Sequence, residues 1–336
     1  MFKSETEMIK MTDCNSICVD RIDALKKYGI SRISVAIGVF DGVHAGHRRL
    51  LAQLCEIADR TASTPVAVTF SPHPRQILQP DSAPALLLPN DEKIRRLTEH
   101  GVQAIVTIPF TAEFAAQEPE DFIADCLKSD GITLCGVCVG KNWRFGAGGR
   151  GNAGLLTELA SRHGFTFSPV AEVEIEGETV SSSSIRAAAA AGDLAKATRF
   201  LCAPYAIYGS VIHGEHVAST RLHTPTANLE LHAGVLPPNG VYAALVHLEN
   251  HPYKAVINIG SAPTFDSYGK KDLIRVEAHL LNSDMEIYGK NIAIEPVRFL
   301  RQEKRFASPE ELKEQIRKDI EHTAVALAGK EKRYAN

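Results

Sequence analysis

Short apolar segments alternate with helical patterns along roughly the first 200 residues of the chain. The apolar segments span residues 33–39, 66–70, 104–108 and 134–139. Each is rich in β-branched residues and bounded by turn formers, which is typical of buried parallel strands. The helical patterns between them cover residues 46–60, 91–100, 118–128 and 152–163. This alternation predicts an α/β fold, a parallel sheet joined by right-handed crossovers.

The pattern becomes that of a β protein after Pro204, which follows two helix-like stretches at residues 187–191 and 194–200. Five short apolar segments separated by turn residues come next, at 206–212, 241–248, 254–259, 274–281 and 292–300. Their spacing predicts a small antiparallel barrel or sandwich.

Near the end of the chain, Ser308 precedes a proline and two glutamates, which predicts the start of a terminal helix running to about Ala328. We therefore predict a loose leader over residues 1–19, an α/β domain over 20–202 and a β domain over 203–336.

Composition places the chain among folded globular proteins. Of its 336 residues, 44% are hydrophobic and 23% charged, and the net charge is −3. This balance does not support bulk capture of nucleic acid or of an anionic membrane. The sequence lacks the run of about 18 apolar residues that a membrane span needs. The leader also lacks the apolar core of a secretory signal. We expect a cytoplasmic protein that is a monomer or self-associates weakly.

Seven scattered cysteines indicate reduced thiols. Cys135 and Cys138 form a C-x-x-C pair within a predicted strand. Side chains three positions apart on a strand point to opposite faces, which disfavours a redox or metal function for the pair.

The densest chemical signal is the string GVFDGVHAGH over residues 38–47, between the first predicted strand and the first predicted helix. Its three glycines allow backbone to approach a ligand, and the helix start offers unpaired N–H groups to an anion. His44 and His47 are three residues apart, so both imidazoles can reach the same side. Such a pair suits the charge that develops when a nucleoside triphosphate is attacked at its α-phosphorus.

Two alternatives fit this turn less well. A zinc site needs a third ligand at suitable spacing, and none is near. A Rossmann dinucleotide fingerprint has the spacing G-x-G-x-x-G, whereas the spacing here is G-x-x-x-G-x-x-x-G.

This turn and its flanking elements resemble the HxGH nucleotidylyltransferase superfamily, and the longer context resembles the prokaryotic bifunctional riboflavin kinase/FAD synthetase family. Supporting strings are FSPHPR at 70–75, VGKNWRFG at 139–146 and VSSSSIR at 180–186. The resemblance implies a Rossmann-like domain that transfers AMP from ATP to FMN, giving FAD and pyrophosphate, with His44 and His47 as catalytic residues. The nucleotide and phosphate contacts that it implies are Gly38, Phe40, Asp41, Gly42, Gly46, Asn142, Ser182, Ser183 and Arg186.

Two of these strings also have simpler interpretations. A serine-rich helix start with an arginine suits a phosphate chain, but residues 181–184 alone would be an ordinary N-cap run. For residues 70–75 the resemblance implies that Phe70, His73 and Arg75 face the flavin, whereas the two prolines alone would indicate a stiff loop.

After Pro204 the chain resembles the riboflavin kinase module, which implies a β-barrel with a C-terminal helix that phosphorylates riboflavin with ATP. The strings that carry this are PTAN at 225–228, GVY at 240–242, NIGSAPTF at 258–265, VEAH at 276–279, and FLR at 299–301 with Lys304 and Phe306.

The roles implied for this module suit the residue types. Thr226 and Asn228 would hold Mg²⁺ and the ATP phosphates, since Mg²⁺ takes oxygen ligands. Glu277 would be the base that activates the flavin hydroxyl. Read alone, it is an outward-facing strand residue. The remaining implied contacts are Gly214 for the nucleotide, and Tyr242 and Arg301 for the flavin.

One stretch departs from the kinase pattern. The family carries H-G-x-x-x-G-R-x-L-G-F before PTAN, whereas here His213-Gly214 is followed by EHVASTRLHT over residues 215–224. Lost glycines weaken the approach of backbone amides to phosphates. The leading hypothesis is an enzyme with both activities. The alternatives are FAD synthetase alone, with a barrel that is inactive or only binds flavin, and a flavin- or nucleotide-sensing protein without turnover.

Overall fold

The computed structural model describes residues 16–127, 129–212, 227–249, 251–262, 273–281, 285, 287–304 and 306–328. The described residues fall into two compact units. The first lies within residues 1–84 and 90–181, and the second within residues 85–89 and 182–336.

Six parallel strands form the central sheet of the first unit, in the order β1-β4-β3-β2-β5-β6. They are β1 Ile17–Val19, β2 Arg32–Ile37, β3 Thr64–Ser71, β4 Ala104–Pro109, β5 Thr133–Gly140 and β6 Thr166–Val170. A small hairpin of β7 Glu174–Ile175 and β8 Glu178–Thr179 follows. The predicted parallel sheet is confirmed, and β2 to β5 are nearly continuous buried runs, as strands covered on both faces require.

Helices connect these strands. They are α1 Ala45–Thr61, α2 Pro74–Leu78, α3 Asn90–Glu99, α4 Ala112–Ala115, α5 Pro119–Asp121 and α6 Ala153–His163. Segments of 3₁₀ helix cover Ile22–Tyr28, Pro80–Ser82 and Ala147–Gly149. α1 buries one side against the sheet through residues spaced three and four apart, Leu50, Leu51, Leu54, Ile57 and Ala58.

Three sequence-based expectations for the first unit need correction. The predicted leader ends too late, because Ile17–Val19 pair with β4 as an edge strand. The helix predicted over 118–128 is not regular, since α5 is continued by a π-helical segment, Phe122–Leu127. The sequence does not predict strand β6, because Thr166–Val170 contains a proline and two hydroxyl residues and therefore has no continuous apolar run.

The C-x-x-C pair lies on β5, as predicted, and both thiols are free. Burial raises the pKa of Cys138 to about 12. This thiol therefore stays protonated near neutral pH and is a poor nucleophile.

The second unit contains a closed antiparallel barrel in the order β10-β13-β12-β11-β14-β9. Its strands are β9 Ile207–Ile212, β10 Ala227–Ala233, β11 Gly240–Leu248, β12 His251–Ala262, β13 Leu273–Leu280 and β14 Asn291–Arg301. Five of the six were predicted. The exception is β10, whose start lies in the string that we assigned to phosphate binding.

Three helices accompany the barrel: α7 Ser182–Ala190, α8 Leu194–Leu201 and the C-terminal α9 Pro309–Ala326. Ser308 caps α9 as predicted, because its side chain accepts a hydrogen bond from the Glu311 backbone N–H at 3.2 Å. The second unit includes α7 and α8, whereas the predicted domain boundary follows residue 202. That boundary, as a limit of independent folding, stays a prediction.

Candidate active sites

The first candidate site lies where the strand order of the parallel sheet reverses. From β2 the chain continues to β3 and β4 on one side, and β5 and β6 are added on the other side. Ligands of open α/β sheets bind at the carboxyl ends of the strands that flank such a reversal. The predicted turn follows β2 directly, and Asn142 follows β5, so topology brings both to this edge.

The turn after β2 has a strained backbone. Phe40, Gly42 and Val43 have positive φ values of 54°, 95° and 43°. A β-branched residue in this region is rare, and such strain persists only where the surroundings enforce it, often at functional sites. Phe40 and Val43 are fully buried, and the Val43 N–H donates to the Phe40 carbonyl at 3.3 Å. The core therefore holds this turn in one conformation.

The two histidines stack on each other at the start of α1. His44 is the N-cap residue and His47 lies in the first turn. Their ring centroids are 3.7 Å apart with an interplanar angle of 20°. Gly46 makes room for this, because a Cβ atom there would lie 3.2 Å from Cε1 of His44. Phe40 packs against His47 with ring centroids 5.3 Å apart.

Burial and the neighbouring His44 hold the pKa of His47 well below its ordinary value of 6.5. Its Nδ1 is buried and has no hydrogen-bond partner among the described residues. At neutral pH His47 is therefore a neutral imidazole, which carries one N–H donor and one acceptor nitrogen.

A lysine that the sequence analysis did not single out lies beside this turn. Lys93 Nζ, on α3, is 3.5 Å from the Thr69 hydroxyl, which donates to the Val39 carbonyl at 3.1 Å. Burial lowers the pKa of Lys93, and the attraction of Asp41 partly offsets this. A cation in the first turn of a helix opposes the helix dipole. The position of Lys93 in the first turn of α3 is therefore the sequence feature that could have pointed to this lysine.

Asn142 and the predicted flavin contacts have defined surroundings in the first unit. The Asn142 amide donates to Glu172 Oε1 at 2.9 Å. Phe70 is buried and meets Phe110 edge to face at 5.8 Å between ring centroids. His73 caps α2, because its Nδ1 accepts from the Arg75 N–H at 3.1 Å. Flavin binding by Phe70, His73 and Arg75 stays a prediction.

The predicted phosphate contacts Ser182, Ser183 and Arg186 all lie on α7, in the second unit. The guanidinium of Arg186 donates from Nε to the Ala85 carbonyl at 2.7 Å. Their role at the phosphates stays a prediction.

The second candidate site is a row of polar residues across three strands of the barrel. Asn228 on β10 pairs with Glu277 on β13, which pairs on its other side with Asn258 on β12. Directly opposed residues project from the same face of a sheet. The residues that alternate with Glu277 and Asn258 are buried and fill the barrel interior: Ile257, Ile259, Val276 and Ala278. The polar row therefore lies on the outer face.

Glu303, just after β14, completes this row. Its Oε1 accepts a hydrogen bond from Asn258 Nδ2 at 3.1 Å. Burial raises the pKa of Glu277; nearby Arg275 opposes the shift, and Glu303 adds to it. Neither Asn258 nor Glu303 is among the predicted site residues, because no spacing in the sequence connects either with Glu277.

The two predicted flavin contacts of the barrel are occupied by internal interactions. Tyr242 is 2% exposed, and its hydroxyl donates to the Pro238 carbonyl. Arg301 donates from Nε and Nη2 to the buried Asp319 of α9 at 2.8–3.1 Å. These contacts hold Tyr242 in the interior and fasten α9 to the end of β14. Flavin binding by either residue stays a prediction.

Two predicted nucleotide contacts, Gly214 and Thr226, lie outside the described residues, as does the divergent stretch 215–224.

Both parts of the chain match families of known proteins. A family model described as FAD synthetase matches residues 26–184, and one described as riboflavin kinase matches residues 201–327. The bifunctional riboflavin kinase/FMN adenylyltransferase of Escherichia coli (strain K12) is 38% identical over 287 residues, which cover 85% of this chain and 90% of that protein. The Bacillus subtilis (strain 168) protein of the same name is 34% identical over 289 residues, covering 85% and 89%.

The chain belongs to the bifunctional riboflavin kinase/FMN adenylyltransferase family. It is therefore a transferase with both catalytic modules of that family, as the sequence resemblance implied. A solved structure, of a macrolide-efflux protein from Streptococcus pneumoniae, is 28% identical with a TM-score of 0.70, covering 87% of this chain and 93% of that one. In the described part of the chain, no helix has the length and apolar character needed to cross a membrane.

Proposed function

We propose that the two reactions of this family take place at the two sites described above. The barrel phosphorylates riboflavin to FMN with ATP, and the parallel-sheet unit adenylylates FMN to FAD with release of pyrophosphate. The observation that carries the assignment is the presence, in different units, of a histidine pair at a helix start and of a carboxylate between two asparagines. Each is suited to one of these phosphorus transfers.

At the parallel-sheet site, the two imidazoles stabilise charge on the α-phosphate of ATP. His47 does so as a neutral hydrogen-bond donor, because its pKa lies well below neutral pH. The first N–H groups of α1 point toward the same region and favour an anion. Lys93 supplies positive charge, since its ammonium lies next to Thr69 and Asp41. The FMN phosphate then attacks in line, and pyrophosphate leaves.

At the barrel site, Glu277 accepts the proton of the flavin hydroxyl as this oxygen attacks the γ-phosphorus of ATP. The raised pKa of Glu277 makes it a stronger base than an exposed glutamate. The side-chain oxygen of Asn228, on the position paired with Glu277, fits a Mg²⁺ ion, which binds through one or two protein oxygens plus substrate phosphates. Asn228, together with Thr226, would hold it. When bound, Mg²⁺ neutralises the phosphate charge.

Product analysis tests the proposal. Purified protein is incubated with riboflavin and MgATP in one reaction, and with FMN and MgATP in another. The proposal expects FMN, followed by FAD, in the first reaction and FAD with pyrophosphate in the second. FAD from FMN with no FMN from riboflavin would favour FAD synthetase alone, an alternative motivated by the divergent residues 215–224. Flavin binding without any product would favour a sensor. A cytoplasmic location, and a monomeric or weakly self-associating state, stay predictions.

A further inference from the structure

The polar row of the barrel contains a buried acceptor atom with no partner in the described part of the chain. Oδ1 of Asn258 is inaccessible to solvent and makes no hydrogen bond there. An unpaired buried polar atom is unfavourable, so such atoms call for an explanation. Asn258 stands directly beside Glu277, the proposed base.

The orientation of the Asn258 amide is set by Glu303. An ionised carboxylate only accepts hydrogen bonds, so the amide nitrogen must be the group that faces Glu303 Oε1, 3.1 Å away. The amide oxygen then points away from Glu303. The pair therefore presents one acceptor in a defined direction.

Gly260 allows Glu303 to reach this position. A Cβ atom on Gly260 would lie 1.8 Å from Oε1 of Glu303, which any side chain there would displace. Gly260 is two residues beyond Asn258 on β12 and projects from the same face. Glycine at position 260 therefore leaves the space that Glu303 needs to accept the hydrogen bond from Asn258.

We propose that Asn258 binds the flavin substrate of the kinase site, its Oδ1 accepting a hydrogen bond from a hydroxyl group of the polyol chain. Glu303 is a positioning residue, which fixes the amide so that the oxygen faces the substrate. The inference rests on the assignment of riboflavin phosphorylation to the barrel. It adds a specificity element, because a flavin without a hydroxylated chain leaves Oδ1 unpaired.

Binding titrations that follow flavin fluorescence test this without turnover. The two ligands are riboflavin and lumiflavin, which has the same ring system but no polyol chain. For the full-length protein we expect Asn258→Ala to raise the Kd for riboflavin about 10- to 100-fold and to leave the Kd for lumiflavin unchanged. Asn291→Ala is the matched control, an asparagine at the start of β14 that bonds Ser210. It should change neither constant.

Variants of Glu303 separate positioning from folding, because Glu303 is exposed and lies outside the strands. Glu303→Gln keeps an acceptor for Asn258 and should bind riboflavin like wild type, whereas Glu303→Ala should weaken binding with a larger change in KM than in kcat. Unchanged riboflavin binding by both Asn258→Ala and Glu303→Ala would overturn the inference. So would equal weakening toward both ligands. Failure of the wild-type protein to bind riboflavin would instead overturn the kinase assignment, and the inference with it.

Discussion

His44 and His47 stack their imidazole rings with centroids 3.7 Å apart at the start of α1. Two cationic rings at this distance would repel each other, and burial adds to the cost of charging them. Burial and the nearby His44 ring therefore keep His47 neutral near neutral pH. In the proposed adenylylation, the pair offers the phosphate hydrogen-bond donors, while charge compensation comes from the helix dipole and from Lys93.

Removal of His47 should separate the two activities. His47→Ala is expected to lower FAD formation from FMN about 100- to 1000-fold, because one charge-stabilising donor is lost. Riboflavin phosphorylation should stay near its original rate, since Glu277 lies in the other unit. Rates of both reactions under saturating MgATP check this. His163→Ala, at an exposed position at the end of α6, is the control. Equal loss of both activities in a folded variant would contradict two separate sites.

The lowered pKa of His47 also predicts how stability depends on pH. The unfolded chain takes up a proton on His47 near its ordinary pKa of 6.5, whereas the folded chain does so only at much lower pH. Between these values the unfolded state binds more protons, so the free energy of unfolding decreases as the pH falls below about 6.5. Above that pH this contribution is constant.

Thermal unfolding between about pH 5 and pH 8 tests the expectation. The melting temperature of the first unit, which contains His47, should fall on acidification in the wild type. It should fall less in His47→Gln, which cannot take up this proton. Parallel curves for the two proteins would show that His47 is not responsible.

Lys93 should matter for adenylylation through its charge. Lys93→Met keeps the length of the side chain but removes the ammonium, and should lower FAD formation about 10- to 100-fold, the range for a charged hydrogen bond. Lys93→Arg should retain more activity than Lys93→Met. Lys27→Met, at an exposed position, is the matched control. Steady-state rates of FAD formation with FMN and MgATP test this expectation. Full activity of Lys93→Met would show that the charge of Lys93 does not contribute to adenylylation.

Glu277 is expected to be the base of the kinase reaction. Glu277→Gln should lower FMN formation about 100- to 10000-fold with little change in flavin binding. Asn228→Ala should mainly raise the KM for MgATP. Both variants should make FAD from supplied FMN at the wild-type rate. A Glu277→Gln enzyme that phosphorylates riboflavin normally would require a different base.

The predicted domain boundary can be tested by truncation. Residues 1–202 should fold alone and keep some FMN adenylylation, because the parallel sheet has its own buried core. This fragment includes α7, which carries the predicted phosphate contacts, whereas residues 1–181 lack it. Circular dichroism and FAD formation by both fragments check this. Insolubility of the longer fragment would argue against the boundary.

Much of the fold could be predicted because burial on both faces of a strand leaves a local signature. The apolar runs that became β2 to β5 are continuous for that reason, and the turn residues between them set the limits of the helices. Prediction failed where pairing partners, rather than local composition, decide the structure. Ile17–Val19 becomes a strand only because β4 lies beside it, more than 80 residues later.

By itself, the sequence determined which residues are candidates for both sites: the histidine pair with its glycines, and the glutamate and asparagine of the kinase strings. Only the tertiary structure decided which further groups lie beside them. Lys93 of α3 meets Thr69 of β3 and is attracted by Asp41. Glu303 reaches Asn258 because β12 and β14 flank β11 in the barrel. Such contacts arise from strand order and register. These join residues far apart in the chain, so no local spacing encodes them.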